Sequence, residues 1–267
     1  MIPNILSIAG SDPSGGAGIQ ADIKAISANG GYAMAAITAL TAQNTRGVSA
    51  LHLPPADFLA RQIDAIRADI HIHAVKIGMM GNAPITETAA RALAGLGCPI
   101  VLDPVMVAKG GDRLLEEQAV TALRDRLLPM ADLLTPNLPE AADLLHTDTA
   151  TDRKSMQAQA SALLNLGPRA VLLKGGHLPQ DDSPDLLATQ EGLHWFEAPR
   201  QMTRNTHGTG CTLSSAIATW LGHGLPLPQA IARAKTYITS AIAAADSLSV
   251  GHGHGPLHHF PDGVTRP

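Results

Sequence analysis

The feature that most constrains the fold is an alternation. Short apolar runs, each ending in glycine or a polar cluster, are followed by longer amphipathic segments along nearly the whole chain. The runs at 5–9, 34–40, 74–80, 99–105, 132–136 and 170–174 read as buried strands. The segments at 19–29, 56–69, 85–96, 116–127, 152–166, from 211 to about 221, and 227–248 read as helices. Strands that alternate with helices need a parallel sheet with crossovers on its faces. The expected architecture is therefore α/β: one doubly wound α/β/α domain over residues 1–267. Residues 185–189 and 193–197 flank Gln190-Glu191-Gly192 and predict a hairpin, which places an antiparallel edge on a mostly parallel sheet. No internal repeat or linker is evident.

Composition narrows the function classes. The chain has 267 residues, 45% of them hydrophobic and 16% charged, so it can bury a sizeable core without staples. Aromatics are only 3%, which leaves Ala, Leu, Ile and Val to fill that core. A net charge of -4 argues against nucleic-acid binding. Cys98 and Cys211 make no disulfide framework, which fits a reducing compartment. The start, Met1-Ile2-Pro3-Asn4, has no basic n-region, and no apolar run is long enough to span a bilayer. The expectation is a cytoplasmic protein with no membrane partner.

The chemistry concentrates in Asn205-Thr206-His207-Gly208-Thr209-Gly210-Cys211, a glycine-rich turn that opens a helix. Unpaired N–H groups and the positive end of the helix dipole make such a turn an anion site. Cys211 stands at the helix start, where a thiol is expected to ionise more readily than usual. The plain alternative is a tight turn followed by a small buried residue.

A second glycine-rich loop, Gly10 to Gly18, follows the first strand. It lacks the Lys of a P-loop. It matches G-x-G-x-x-A at Gly16-Ala17-Gly18-Ile19-Gln20-Ala21, but no acid follows between Asp22 and Asp57 to bind a ribose. The alternative is a turn that needs glycine for its backbone angles.

Other candidates lie at strand ends. Gln43 offers an amide to a heterocycle, or is a solvated loop amide. Met79 and Met80 can wall a flat ligand, or fill core. Asp103 ends one strand, Lys109 lies in a glycine loop, and Lys174 precedes two glycines in a manner suited to phosphate contact. Asn137 and Glu140 read as a helix cap with its capping-box partner, or Glu140 as an acid held near phosphates through Mg²⁺. The histidines of the tail, 252–259, could hold a metal, although no Cys or carboxylate frame accompanies them.

Taken together these stretches resemble one family in order along the chain. Gly10-Ser11-Asp12-Pro13-Ser14-Gly15-Gly16-Ala17-Gly18, Ala42-Gln43-Asn44-Thr45-Arg46-Gly47 and Lys76-Ile77-Gly78-Met79 resemble the bacterial hydroxymethylpyrimidine/phosphomethylpyrimidine kinases of thiamin biosynthesis. So do Thr135-Pro136-Asn137-Leu138-Pro139-Glu140, Leu173-Lys174-Gly175-Gly176-His177, the 205–211 turn and Gly255-Pro256-Leu257-His258-His259. That family belongs to the ribokinase-like superfamily, which has the architecture expected above.

The resemblance implies an ATP- and Mg²⁺-dependent kinase that makes a monophosphate and then a diphosphate of 4-amino-5-hydroxymethyl-2-methylpyrimidine. It implies that Gln43 bonds the pyrimidine, with Ala17, Asp22, Met79 and Val105 around it. Lys174, Thr206, His207, Gly208, Thr209 and Gly210 would hold the ATP phosphates, with Lys109 closing over them. Thr135 and Asn137 would lie along the nucleotide, and Asp103 and Glu140 would support the metal. Cys211 stands where most ribokinase-like kinases carry an aspartate base, a departure shared with related vitamin B6 kinases. The resemblance also implies a homodimer. The rival readings are a pyridoxal kinase, a dinucleotide-dependent oxidoreductase and a non-catalytic pyrimidine sensor.

Overall fold

Strand β1 (Asn4–Ser11) is buried on both faces, and its side chains alternate between two apolar layers. Leu6 and Ile8 enter one layer and Ile5 the other. A strand covered on both sides belongs at the centre of a sheet, and β1 lies between β2 (Tyr32–Asn44) and β4 (Ala74–Ile77). A computed structural model describes residues 1–106, 116–179 and 182–261. Its sheet has nine strands in the order β3-β2-β1-β4-β5-β6-β7-β8-β9. The rest are β3 (Gly47–His52), β5 (Ile100–Leu102), β6 (Leu133–Leu134), β7 (Ala170–Lys174), β8 (Asp185–Thr189) and β9 (Gly192–Phe196).

Pairing is parallel from β2 to β7. Strands β8 and β9 form the expected antiparallel hairpin edge. The opposite edge is also antiparallel. Residues 41–44, expected as a loop, continue β2 and pair with β3. Most of β3 is exposed, so its sequence shows none of the apolar alternation that marks a half-buried strand.

Helices cover both faces. On one side lie α2 (Ala56–Arg67), α3 (Ala83–Leu93), α4 (Glu117–Ala122), α5 (Leu138–Leu145) and α6 (Arg153–Leu164), around a core with Leu59, Ile85, Leu144 and Met156 at its centre. On the other lie α1 (Gly18–Ala28), α7 (Thr209–Gly222) and α8 (Leu227–Ala243), packed on Ile26, Leu172, Ile217 and Ile231. Each fully enclosed aliphatic side chain contributes about 1.5–3 kcal/mol.

One buried strand residue is a lysine. Lys76 of β4 shares the strand face of Ala74, toward α1 and α7, and is wholly buried. Among the described residues no helix is long and apolar enough to cross a membrane. The chain leaves β1 for β2 on one side and reaches β4 on the other, so the strand order reverses there. In open α/β sheets, ligands bind at the carboxyl ends of the strands around such a reversal.

Candidate active site

A cleft of about 840 Å³ runs along those carboxyl ends. Ser11 of β1, Gln43 of β2, Met79 after β4, Asp103 after β5, Asn137 after β6 and Lys174 of β7 all line it. The far end is closed by α7 and α8, where Leu213, Ile238 and Ile242 form an apolar wall.

The 205–211 turn closes one side of the cleft. Gly208 is the N-cap of α7, with φ 80°, a conformation that favours glycine. A Cβ on Gly208 would also stand 1.9 Å from the carbonyl oxygen of Gly16, so this residue lets the two glycine-rich loops touch. The first N–H groups of α7 have no intrahelical acceptor and open onto the cleft. Cys211 lies in this first turn, partly buried, with the Gly18 backbone at the start of α1 favouring its ionised form.

The readily ionised thiol expected from the helix start is not what the protein builds. Burial pushes the Cys211 thiol up to about 11. Lys76 and the Gly18 backbone oppose that rise, while Asp22 and Asp103 add to it. A helix start favours a thiolate, but here desolvation and nearby carboxylates outweigh it.

Opposite the turn, Lys174 Nζ lies 2.8 Å from Asp103 Oδ1 and 3.9 Å from Glu140 Oε2. Burial works against the ammonium charge, but Asp103 and then Glu140 outweigh it and hold Lys174 above its ordinary value. Asn137 and Glu140 form the anticipated capping box: Asn137 Oδ1 accepts from the Glu140 N–H, and Glu140 Oε2 from the Asn137 N–H, both at 2.8 Å. Burial raises the Glu140 carboxyl to about 7 against the pull of Lys174, with Asp103 adding to the rise.

Asp103 Oδ2 is buried with no hydrogen-bond partner. An orphaned carboxylate oxygen beside a second carboxylate suits Mg²⁺, which takes one or two protein carboxylates and completes its shell with phosphates and water. The residues therefore fit the metal that the resemblance implies.

Thr135 does not line the cleft. It is enclosed behind Asp103 and donates from Oγ1 to Asp103 Oδ1 at 3.1 Å, so it positions that carboxylate.

Ala17, Gln43, Met79 and Val105 also line the cleft. His207 joins them. Its imidazole reaches the 10–18 loop and β2, with Nε2 2.8 Å from Asp12 Oδ2 and 3.4 Å from the Gln43 amide. Asp22 is the exception. Its carboxylate is fully enclosed, accepting twice from Lys76, at 2.8 Å from Ser215 Oγ and at 2.5 Å from Ser7 Oγ. It lies beneath the cleft, with no oxygen left to meet a substrate. Lys109 falls outside the described residues.

Sequence reasoning singled out neither Asp12, whose carboxylate gathers the 10–18 loop, nor the pair of Lys235 and Asp185 at the far end of the cleft. A lysine on the inward face of the alanine-rich α8 was the available signal for the second.

Residues 12–258 match the family described as phosphomethylpyrimidine kinase. The hydroxymethylpyrimidine/phosphomethylpyrimidine kinase of Escherichia coli K12 is 52% identical over 258 residues, covering 96% of this chain and 97% of that one. The solved phosphomethylpyrimidine kinase of Clostridium difficile 630 superposes with a TM-score of 0.80 at 40% identity, covering 90% of this chain and 99% of that one. Pyridoxal kinase from Staphylococcus aureus, solved with AMP-PCP and pyridoxal, gives a TM-score of 0.90 at 30% identity over 99% of this chain and 96% of that one.

Proposed function

The chain belongs to the phosphomethylpyrimidine kinase family, and we propose that it transfers the γ-phosphoryl group of ATP to 4-amino-5-hydroxymethyl-2-methylpyrimidine and then to the monophosphate so formed. The observation that carries this reading is the convergence of an anion turn, a thiol and a Lys174–Asp103 pair on one cleft at the strand ends. Phosphoryl transfer is mainly positioning and charge stabilisation, and each part supplies one of these.

The N–H groups at the start of α7, with Lys174, stabilise the oxygens of the transferring phosphoryl group. Gln43 and the walls formed by Ala17, Met79 and Val105 hold the heterocycle. Mg²⁺, when bound, neutralises phosphate charge, and Asp103 and Glu140 are the residues that would hold it. In its thiolate form Cys211 takes the proton of the attacking hydroxymethyl group, and Lys76, the Gly18 backbone and the start of α7 favour that form. In the second step the acceptor is a phosphate monoester, largely ionised near neutrality, so the base is needed much less.

The Staphylococcus aureus likeness supports a second reading, a vitamin B6 kinase with related chemistry. Measuring ADP release with the pyrimidine and with pyridoxal separates the two: faster turnover of the pyrimidine is expected, and turnover of pyridoxal alone would reverse the assignment. The sheet, continuous from β3 to β9, supports one domain over residues 1–267. Cys98 and Cys211 are both free, which supports a cytoplasmic enzyme. Exposed Leu40 and Leu51 on the β2–β3 edge support a homodimer.

A further inference from the structure

The carboxylate of Asp12 accepts four hydrogen bonds. The Ser14 N–H and hydroxyl donate at 2.9 and 2.7 Å, the Ala17 N–H at 2.9 Å and His207 Nε2 at 2.8 Å. Burial works against its ionisation, but the bonds from His207 and Ser14 outweigh burial and hold the carboxyl below its ordinary range. Asp12 is therefore an acceptor only, and His207 Nε2 carries a hydrogen whatever the state of the other ring nitrogen.

The Gln43 amide lies between that donor and the Thr41 hydroxyl. Thr41 has one hydrogen, and Oγ1 lies 2.8 Å from the Ser11 carbonyl oxygen, which takes it. Toward Gln43, Oγ1 is then an acceptor. Gln43 Oε1 at 3.2 Å from Thr41 Oγ1 sets acceptor against acceptor, and Gln43 Nε2 at 3.4 Å faces His207 Nε2, whose one hydrogen is held by Asp12 and which has no lone pair to offer the NH₂. A half-turn of the terminal torsion exchanges two atoms of nearly equal size and removes both conflicts. The amide oxygen then faces His207 and the NH₂ faces Thr41.

We propose that Asp12 and His207 fix the direction of the Gln43 amide and so select the heterocycle, as positioning residues for specificity. The accepted ring offers an amino donor on the His207 side and a ring-nitrogen acceptor on the Thr41 side. This inference rests on the kinase reading above. In a 4-amino-5-hydroxymethylpyrimidine the ring nitrogen, the amino group and the hydroxymethyl group follow one another around the ring. An amino group on the His207 side therefore places the hydroxymethyl group beyond it, on the side of the turn that opens α7. The reverse amide would turn it away.

The test compares the 4-amino substrate with its 4-oxo analogue, 5-hydroxymethyl-2-methylpyrimidin-4-one, whose ring N–H and carbonyl reverse the donor order. For the unaltered enzyme the ratio of kcat/KM, amino over oxo, should be at least about 100. His207→Leu should lower that ratio about tenfold, mainly through KM for the amino substrate. His207→Gln, whose amide can donate to Asp12 and Gln43, should restore it. Thr41→Val removes the other anchor and should also lower the ratio, which keeps the test open if His207→Leu does not fold. Equal losses on both substrates, or an unchanged ratio in both variants, would overturn the inference while leaving the kinase reading standing. Phosphorylation of neither ring by the unaltered enzyme would overturn both.

Discussion

Lys76 donates to both carboxylate oxygens of Asp22, at 2.9 and 2.8 Å, and neither side chain reaches solvent. Ser7 and Ser215 complete the set, so the pair joins β1, β4, α1 and α7 beneath Cys211. Burial works against the Lys76 charge, but Asp22, then Cys211 and Asp103, outweigh it and raise the ammonium above its ordinary value.

Removing one partner leaves a buried, uncompensated charge, which costs about 3–5 kcal/mol. Asp22→Ala should therefore lower the urea midpoint strongly. Replacing both residues by apolar ones, Asp22→Leu with Lys76→Met, should recover much of that loss. A double variant no more stable than Asp22→Ala would show that the pair is not the unit that matters.

The Cys211 thiol, raised to about 11 by burial, should resist alkylation in the ligand-free enzyme. In a Cys98→Ser background the iodoacetamide rate should stay low near neutrality and climb toward pH 11. Cys211→Ala should slow the first phosphorylation by about 10²–10⁴ and the second by far less. Equal losses in the two steps, measured separately in single turnovers, would assign the thiol to packing rather than proton transfer.

Glu140 carries a pH signature. Its carboxyl is raised from 4.5 to about 7, first by burial. The folded chain then binds this proton more tightly than the unfolded chain. The resulting stability is complete below about pH 4.5 and is lost as pH rises through about 7. Glu140→Gln keeps the capping box and removes the titration. Its Tm should gain on that of the parent between pH 5 and 8, while Mg-ATP should stabilise it less. Parallel Tm curves across that range would contradict this account.

Gly208 and Gly210 should respond differently to a methyl group. At Gly208 an added Cβ meets the Gly16 backbone at 1.9 Å and the residue has φ 80°. Gly208→Ala should lose both stability and nucleotide binding. At Gly210 the Cβ would meet Lys174 Nζ at 3.1 Å and Asp103 Oδ2 at 3.3 Å, groups of the site itself. Gly210→Ala should keep its Tm within a few degrees and raise the KM for Mg-ATP. Calorimetry alongside steady-state kinetics distinguishes these outcomes.

The layered sheet was legible because buried parallel strands and amphipathic helices leave different periods, and glycines mark the loops between them. Strand β3 left none, since most of its residues face solvent. The site was legible as residues but less so as roles. Asp22 looked like a ligand-facing acid because its partner, Lys76, lies 54 residues away in sequence. Thr135 looked like a cleft residue because it follows β6, yet its hydroxyl turns back to Asp103. The helix start at Cys211 could be read locally, but the carboxylates that oppose its ionisation arrive from α1 and the end of β5. His207 belonged to the phosphate turn by sequence, whereas its ring reaches Asp12, 195 residues earlier.

The function proposed for this chain is phosphoryl transfer twice to one heterocycle. It is tested most directly by phosphorus NMR of the purified protein with Mg-ATP and 4-amino-5-hydroxymethyl-2-methylpyrimidine. A monophosphate ester should appear first and then give way to a diphosphate ester. A monophosphate that accumulates without conversion would contradict the second step, and no ester at all would contradict the assignment as a kinase of this substrate.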